Sequence, residues 1–447
     1  MVSSTFRSLR HPNYRNYFAG SAISSIGTWM MRIAQDWLVL QLTHDGTALG
    51  IATGLQFLPT LLLTPYAGLV VDRFSKRRVL ESTQITMAVV SLVLGVLAIT
   101  GAIALWLVYV IVVIFGIAAA FDGPARNSFV SEMVPPKDLP NAVGLNSASF
   151  NAAHFVGPAL AGAIIGALGQ GISATGVVML INAGSYLAVL IQLHRMDVSR
   201  LQAPHRSPRR PGQLREGFRH LAAQPRLVAI IIIAAFTGAF GLNFEIMTAL
   251  MATKEFGKGA GQFALVTSCL AIGSLLGSLL AARRSTIGAR LVGTAALAFG
   301  CAELLWGAMP SYIAFVAVAP LVGLCSITVL NGANTAVQIA VDPSYRGRIM
   351  ALYMTVTFGG TPIVAPIMGW IGQHVGARAT IWTGGTLVIA GVVVAALYHQ
   401  RTTDGPTAVT DPSALTRVHR ALRSDPAWRS LPVPARFVRQ DRDHDFE

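Results

Sequence analysis

The sequence predicts an all-α integral membrane protein with twelve transmembrane helices in two pseudo-symmetric six-helix bundles. Three observations carry that expectation. Of the 447 residues, 53% are hydrophobic and only 12% charged, whereas a soluble chain carries about 25% charged residues. Twelve segments are apolar over about the 20 residues that cross a bilayer. The chain also resembles itself at an offset near 210 residues.

The twelve segments run over 16–41, 48–71, 79–100, 104–123, 140–168, 172–193, 226–251, 260–282, 289–308, 312–335, 347–372 and 379–399. Cytoplasmic loops collect Lys and Arg. With the N-terminus inside, all but four of the 34 Lys and Arg residues fall on the inner side. The four are Arg32 within the first span and Lys254, Lys258 and Arg378 in outer loops. Both termini are therefore expected in the cytoplasm of a bacterial cell, with the chain in its inner membrane. The same placement accounts for a net charge of +14 without nucleic acid. The first seventeen residues are basic and polar and lack a signal peptide's apolar core and cleavage site, so the first span is expected to remain as an anchor. Cys269, Cys301 and Cys325 lie in apolar runs with no metal spacing and read as small buried hydrophobes.

The internal match pairs Phe6-Arg7-Ser8-Leu9 with Phe218-Arg219-His220-Leu221, Pro12 with Pro225, Gly68 with Gly277, and Pro158 with Pro366. Each half opens on a basic segment with apolar residues at helical spacing, the pattern of a helix lying on the membrane surface. The expected organisation is an N-terminal bundle over 1–194, a cytoplasmic linker over 195–225, a C-terminal bundle over 226–400 and a cytoplasmic tail over 401–447. Parallel repeats related about the membrane normal are a transporter architecture, with the substrate site between them. In the tail, Asp411-Pro412 starts a candidate helix with Leu415, Val418 and Leu422 on one face. Asp441, Asp443, His444 and Asp445 read as solvated rather than as a metal site.

Between spans 2 and 3 stands Gly68-Leu69-Val70-Val71-Asp72-Arg73-Phe74-Ser75-Lys76-Arg77-Arg78. A glycine permits close helix approach, and an acid at the membrane edge can favour another helix's N-terminus. Asp122-Gly123-Pro124-Ala125-Arg126 ends span 4, and Val156-Gly157-Pro158-Ala159-Leu160-Ala161-Gly162 lies in span 5. Small residues such as Gly157 and Gly162 allow tight packing, and Pro158 can bend the helix. The first stretch resembles the signature loop of the major facilitator superfamily, G-x-x-x-D-R-x-G-R-R/K, with Ser75 at the usual glycine. The second half has Ala281 where that acid would stand. The span 5 stretch resembles the superfamily's antiporter motif, with Ala153 and Ala161 replacing two glycines. Together with Gly27-Thr28-Trp29-Met30, these motifs are similar to the drug and siderophore exporter branch, the group that includes enterobactin exporters and macrolide efflux proteins. The resemblance covers residues 5–400. It implies a gate formed by Gly68, Asp72, Arg73, Lys76, Arg77, Arg78, Asp122 and Arg126, and it implies export.

Within span 1, Arg32 and Asp36 are four residues apart and share a helix face. A charge at the bilayer centre costs about 3 kcal/mol on insertion scales. Either the two form a static, self-neutralising pair, or Asp36 carries a proton that Arg32 helps to release. Glu245 in span 7 is the repeat equivalent of Arg32 and faces span 1 across the pseudo-twofold. Glu303 in span 9 is a further intramembrane acid of lower rank, and His154 in span 5 is either a titrating group or a hydrogen-bonded core histidine. Asn331, Asn334 and Gln338 along span 10 either line the cavity or bond between helices. Met30, Met31 and Met247 are available as an adaptable apolar wall. Arg32, Asp36, Glu245, Asn331 and Asn334 are the expected proton and substrate residues.

No GxxxxGK[ST] phosphate loop occurs, and Gly166 to Gly171 has the wrong spacing for a dinucleotide fingerprint. No hydrolase or metalloprotease arrangement is present. The expectation is a monomeric secondary exporter of a small amphipathic molecule, working by proton antiport and alternating access in the lipid bilayer, without enzymatic activity, cofactor, metal or nucleic acid. The competing readings are an importer or facilitator and a non-transporting receptor of the same fold.

Overall fold

In a computed structural model of the chain, residues 4–202, 221, 224–282, 288–341 and 346–403 are described. The side chains of Asp72, Arg346 and Arg348 lie outside the described set. So do most of the linker, including Phe218 to His220, and the tail from residue 404. Every regular element among the described residues is helical. These are α1 Pro12–Thr43, α2 Gly46–Arg73, α3 Lys76–Thr100, α4 Leu105–Met133, α5 Leu139–Ala167, α6 Ile172–His194, α7 Pro225–Phe236, α8 Phe244–Leu250, α9 Ala260–Ala282, α10 Ala289–Gly307, α11 Tyr312–Ala340, α12 Arg346–Phe358, α13 Thr361–His374 and α14 Ala377–Thr403. One compact unit covers Met1–Tyr398; of the second, His399–Glu447, the described part is the end of α14.

Ten helical stretches among the described residues are long and apolar enough to cross a membrane. The ten do not include α1 or α10. Asn13, Arg15, Arg32, Gln35 and Asp36 dilute the hydropathy of α1, and α10 is only 19 residues long and holds Arg290 and Glu303.

Local chemistry sets several boundaries. Pro12 occupies the first turn of α1, where its missing N–H costs no hydrogen bond. His44, at φ 50°, ends that helix in the left-handed region, and Asp45 accepts from the Thr47 backbone at 2.7 Å to begin α2. Gly101, at φ 73°, terminates α3 in the conformation glycine adopts most readily. The apolar stretch of span 4 ends at residue 123, but α4 continues to Met133, so Asp122 and Arg126 sit inside a helix. Hydropathy marks where the apolar stretch stops, and the helix continues beyond it. Spans 7 and 11 are interrupted. A π-helical turn at Thr237–Gly241 separates α7 from α8, and a second follows at Met251–Glu255. Gly359 and Gly360 separate α12 from α13.

Helix α1 packs on α5 and α6, α3 on α4 and α6, and α2 on α4; in the second half α11 packs on α9 and α10. Two seams join the halves. Along α2, Gly46, Gly50 and Gly54 meet Ala365, Pro366 and Gly369 of α13, and a Cβ at Gly50 would collide with the Ala365 carbonyl. In the other seam, Gly162 of α5 lies against Gly261 and Ala264 of α9. Neutral hydrogen bonds accompany both seams. The Gly46 N–H donates to Gln373 at 2.8 Å, the Ala260 N–H to Gln170 at 3.2 Å, and the Ser268 hydroxyl to the Phe155 carbonyl at 3.3 Å. The first seam reaches Leu61, which meets Gly359. Beyond that point α12 packs on α7 and α11. The halves are thus joined at the end bearing the α1–α2 loop.

The N-terminal basic segment is a 3-10 turn, Ser4–Arg10, docked on protein. Ser8 is fully buried; its hydroxyl donates to the Asp138 carbonyl at 2.9 Å, and its N–H donates to Asn141. The Asp138 carboxylate pairs with His11 Nε2 at 2.9 Å and Arg7 Nε at 2.5 Å. The His11 hydrogen bond, then the Arg7 charge, hold this carboxyl below the usual carboxylate range. A folded-state value below the unfolded one, about 3.9, stabilises the docked arm above that pH and ceases to do so as pH falls through the depressed value. Hydrogen exchange of residues 4–11 should therefore stay slow from neutral pH down to about 4 and accelerate below it. In Asp138→Asn the arm should exchange fast even at neutral pH, and equal protection in the two proteins would refute this clasp.

Candidate transport site

The centre of the molecule holds a cluster built from both halves. Arg32 of α1 donates through Nη1 to Glu245 Oε1 of α8 at 2.9 Å, and both side chains are about one-fifth exposed. The same guanidinium lies over the Trp29 ring at 4.9 Å and the Phe57 ring at 5.2 Å. His154 of α5 stacks on Trp29 with centroids 4.0 Å apart, and Phe150 meets Trp29 edge-on at 5.7 Å. A cation over an aromatic face gains about 0.5–2 kcal/mol, more as water is excluded. The site therefore pairs a carboxylate with an aromatic wall, with the guanidinium between them.

Asp36 lies one turn along α1. It is 2% exposed, and its Oδ2 is buried without a hydrogen-bond partner. The expected Arg32–Asp36 ion pair is not formed, because Arg32 reaches across to Glu245. Shared helix face gives proximity, but a flexible arginine takes the partner that presents an oxygen at hydrogen-bond distance. Beside this cluster, Gln35 of α1 donates to Gln56 of α2 at 2.9 Å, both buried.

The other predicted residues fall elsewhere. Asn331 donates to Ser278 of α9 at 3.4 Å, an interhelical bond, and Asn334 accepts from Gln338 on its own helix. Among the described residues, neither makes a hydrogen bond to the Arg32–Glu245 cluster. Gly157 packs under Trp29 and the Ile26 carbonyl, so the Gly157–Pro158–Gly162 stretch fits α5 against α1 on one side and α9 on the other. Asp122 Oδ1 accepts from Gln84 at 2.7 Å and Thr83 at 3.0 Å, Asp122 Oδ2 pairs with Arg126, and Arg126 also donates to Ser21. That network ties α4 to α3 and α1. Lys76 pairs with Glu132 of α4, and Arg77 pairs with Glu81 of its own helix. Gly68 and Arg73 lie in the last turns of α2, and Arg78 is exposed in the first turn of α3. The latch from Asp72 to Arg346 and Arg348 falls on side chains outside the described residues. Sequence reasoning missed Phe57 and Phe150 and gave Trp29 no role of its own; the Trp29-to-Arg32 spacing, one helical turn, was the available signal.

Residues 3–422 match the family described as transmembrane secretion effector, of the major facilitator superfamily. The chain belongs to this family. A secretion effector of this kind is a multi-pass membrane transporter, not an enzyme. Relatives of this transporter include macrolide efflux protein A of Streptococcus pyogenes, 23% identical over 86% of this chain and 95% of the relative. Multidrug efflux pump Tap of Mycolicibacterium fortuitum is 27% identical over 85% of this chain and 94% of its own. The staphyloferrin A transporter of Staphylococcus aureus is 29% identical over 33% of this chain and 38% of its own. Among solved structures, a bacterial homologue of the iron transporter ferroportin in an inward-facing state superposes with a TM-score of 0.68, at 15% identity, over 87% of this chain and 99% of that one. A bacterial homologue of the lysosomal transporter Spinster, inward-facing and occupied, gives 0.67 at 16% identity over 90% and 98%. At these identities the structures speak for the fold alone.

Proposed function

We propose that this transporter exports a small amphipathic molecule across a bacterial inner membrane in exchange for protons. In this reading α1 and α10 also span, giving twelve spans in two six-helix bundles over 1–194 and 226–400, joined by a cytoplasmic linker, with both termini and the tail inside. The joined end is then the outer end, and the arrangement faces inward. The observation that carries the reading is the Arg32–Glu245 bridge between the halves, with the unpartnered Asp36 one turn away. Arg32 has two carboxyl groups within its reach. A substrate that engages the aromatic wall and Glu245 frees the guanidinium to swing towards Asp36. A cation arriving beside a protonated carboxyl favours loss of that proton. Binding from inside thus releases a proton inside, and a proton regained from outside sends Arg32 back to Glu245 and expels the substrate. Efflux names among the relatives support this direction of transport.

Inverted vesicles with an acidic lumen provide the test. A macrolide, chosen from the relatives' names, should raise lumenal pH on addition to vesicles containing the protein. Macrolide that accumulates without proton movement would remove antiport. If a wider panel including siderophores also moved nothing, the receptor reading would replace transport.

The reading also keeps Asp72 as a latch on the inner end of span 11, near Arg346 and Arg348. Asp72→Asn should then lower the transport rate about tenfold at equal membrane abundance, a loss equivalent to one charge-assisted hydrogen bond. An unchanged rate would refute the latch.

A further inference from the structure

We propose that the groove between the start of α3 and the end of α6 binds an anionic glycerophospholipid. The groove has a volume of about 650 Å³ and is lined by Arg77, Glu81 and Ile85 from α3 and by Leu190, Ile191, His194 and Arg195 from the end of α6. Its rim is cationic from both sides. Arg77 engages Glu81 through Nε at 2.9 Å, an arrangement that fixes the side chain at the rim while its Nη groups remain available to phosphate oxygens. Arg195, exposed at the end of α6, supplies the second cation from the facing helix.

Below that rim the walls are apolar and continue along both helices. On α3, Ile85, Val89, Leu92, Val96 and Ile99 recur at helical spacing and are each between 43% and 51% exposed. On α6, Leu187 and Ile191 lie one turn apart on the same face, at 54% and 45% exposure, beside Leu190 in the groove wall. A ligand filling this groove carries its negative charge at the membrane edge and its hydrocarbon along these two faces. Basic pockets between transmembrane helices select anionic headgroups for this reason. The general excess of cations on one side of a membrane protein accounts for Arg in loops. It does not place Arg77 and Arg195, from separate helices, over one apolar groove.

Native mass spectrometry of the full chain tests the proposal, after equilibration with equal amounts of phosphatidylglycerol and phosphatidylcholine of one chain length. The unmodified protein should retain a phosphatidylglycerol in preference to phosphatidylcholine. Arg77→Gln with Arg195→Gln should weaken that retention about tenfold. Arg15→Gln with Arg290→Gln, which removes the same charge from residues that do not line the groove, should not. If the first pair fails to fold, Arg195→Gln alone, at an exposed position, gives the same reading at about threefold. Equal retention of the two lipids, equal loss in the control pair, or displacement of the lipid by inorganic phosphate would each overturn the site.

Discussion

Glu245→Gln should reduce concentrative export by about two orders of magnitude while leaving the protein in the membrane. Glutamine preserves the shape of the side chain and removes its charge. Arg32 then loses its ionic partner across the two halves, while its contacts with Trp29 and Phe57 remain. Breaking a fully buried pair from one side costs about 3–5 kcal/mol. This pair is about one-fifth exposed, so a value nearer 2–3 kcal/mol is expected, which is about 30- to 150-fold. The exchange Arg32→Glu with Glu245→Arg is the informative companion. It restores a pair between α1 and α8 and puts a second acid one turn from Asp36. If the bridge only fastens the halves together, the exchange should recover most of the activity. If Arg32 shuttles towards Asp36, recovery should fail, because no cation remains on α1 within a turn of Asp36. Full activity in Glu245→Gln itself, measured as substrate gradient per unit of protein, would dismiss the bridge from the cycle.

Asp36→Asn should separate proton movement from substrate movement. The amide keeps the size of the side chain, and its buried surroundings require no charge, so folding should survive. Binding to the aromatic wall should change little, because Trp29, Phe57 and Glu245 are untouched. The driven gradient should collapse to simple equilibration, a loss of a hundredfold or more where a proton gradient of two pH units is imposed (each unit is about 1.4 kcal/mol). Should Asp36→Asn still concentrate substrate in acid-loaded inverted vesicles, Asp36 is not the carrier, and Glu303, fully buried with neither carboxyl oxygen partnered, becomes the next acid to change.

The fold class was legible because membrane crossing is written in composition. Long apolar stretches and one-sided cations need no tertiary information. The same signals could not register the breaks in spans 7 and 11, since Thr237–Gly241 and Gly359–Gly360 remain apolar or small and hydropathy is blind to backbone geometry. Nor could they place the end of α4, whose helix outlasts its apolar stretch. Within the site, the charged residues were conspicuous because charge is rare in a bilayer. Their pairing was not, because Asp36 and Glu245 were both plausible partners for Arg32 and only the approach of α8 separates them. Phe57 and Phe150 were hidden for the opposite reason: an aromatic residue in an apolar helix has no contrast with its neighbours. Asn331 and Asn334 stood out as polar and proved to bond along or between helices away from the cluster.

The two seams that join the halves have an electrical consequence. The hydrogen bonds they make between the halves come from amides and a hydroxyl, from Gly46 to Gln373, Ala260 to Gln170 and Ser268 to Phe155, set among glycine and alanine backbone; Lys254, which also donates to Gln373, belongs to the same half as its acceptor. Parting such surfaces moves no net charge through the membrane field. A full charge crossing that field exchanges about 2.3 kcal/mol per 100 mV, whereas these seams exchange almost nothing. Under the proposed antiport reading, the charge that crosses the field is that of the central cluster, Arg32, Glu245 and Asp36, rather than of these helix contacts. On the proposed cycle, parting these helix contacts should depend little on membrane potential, and current recorded during turnover should change in Arg32→Gln or Asp36→Asn.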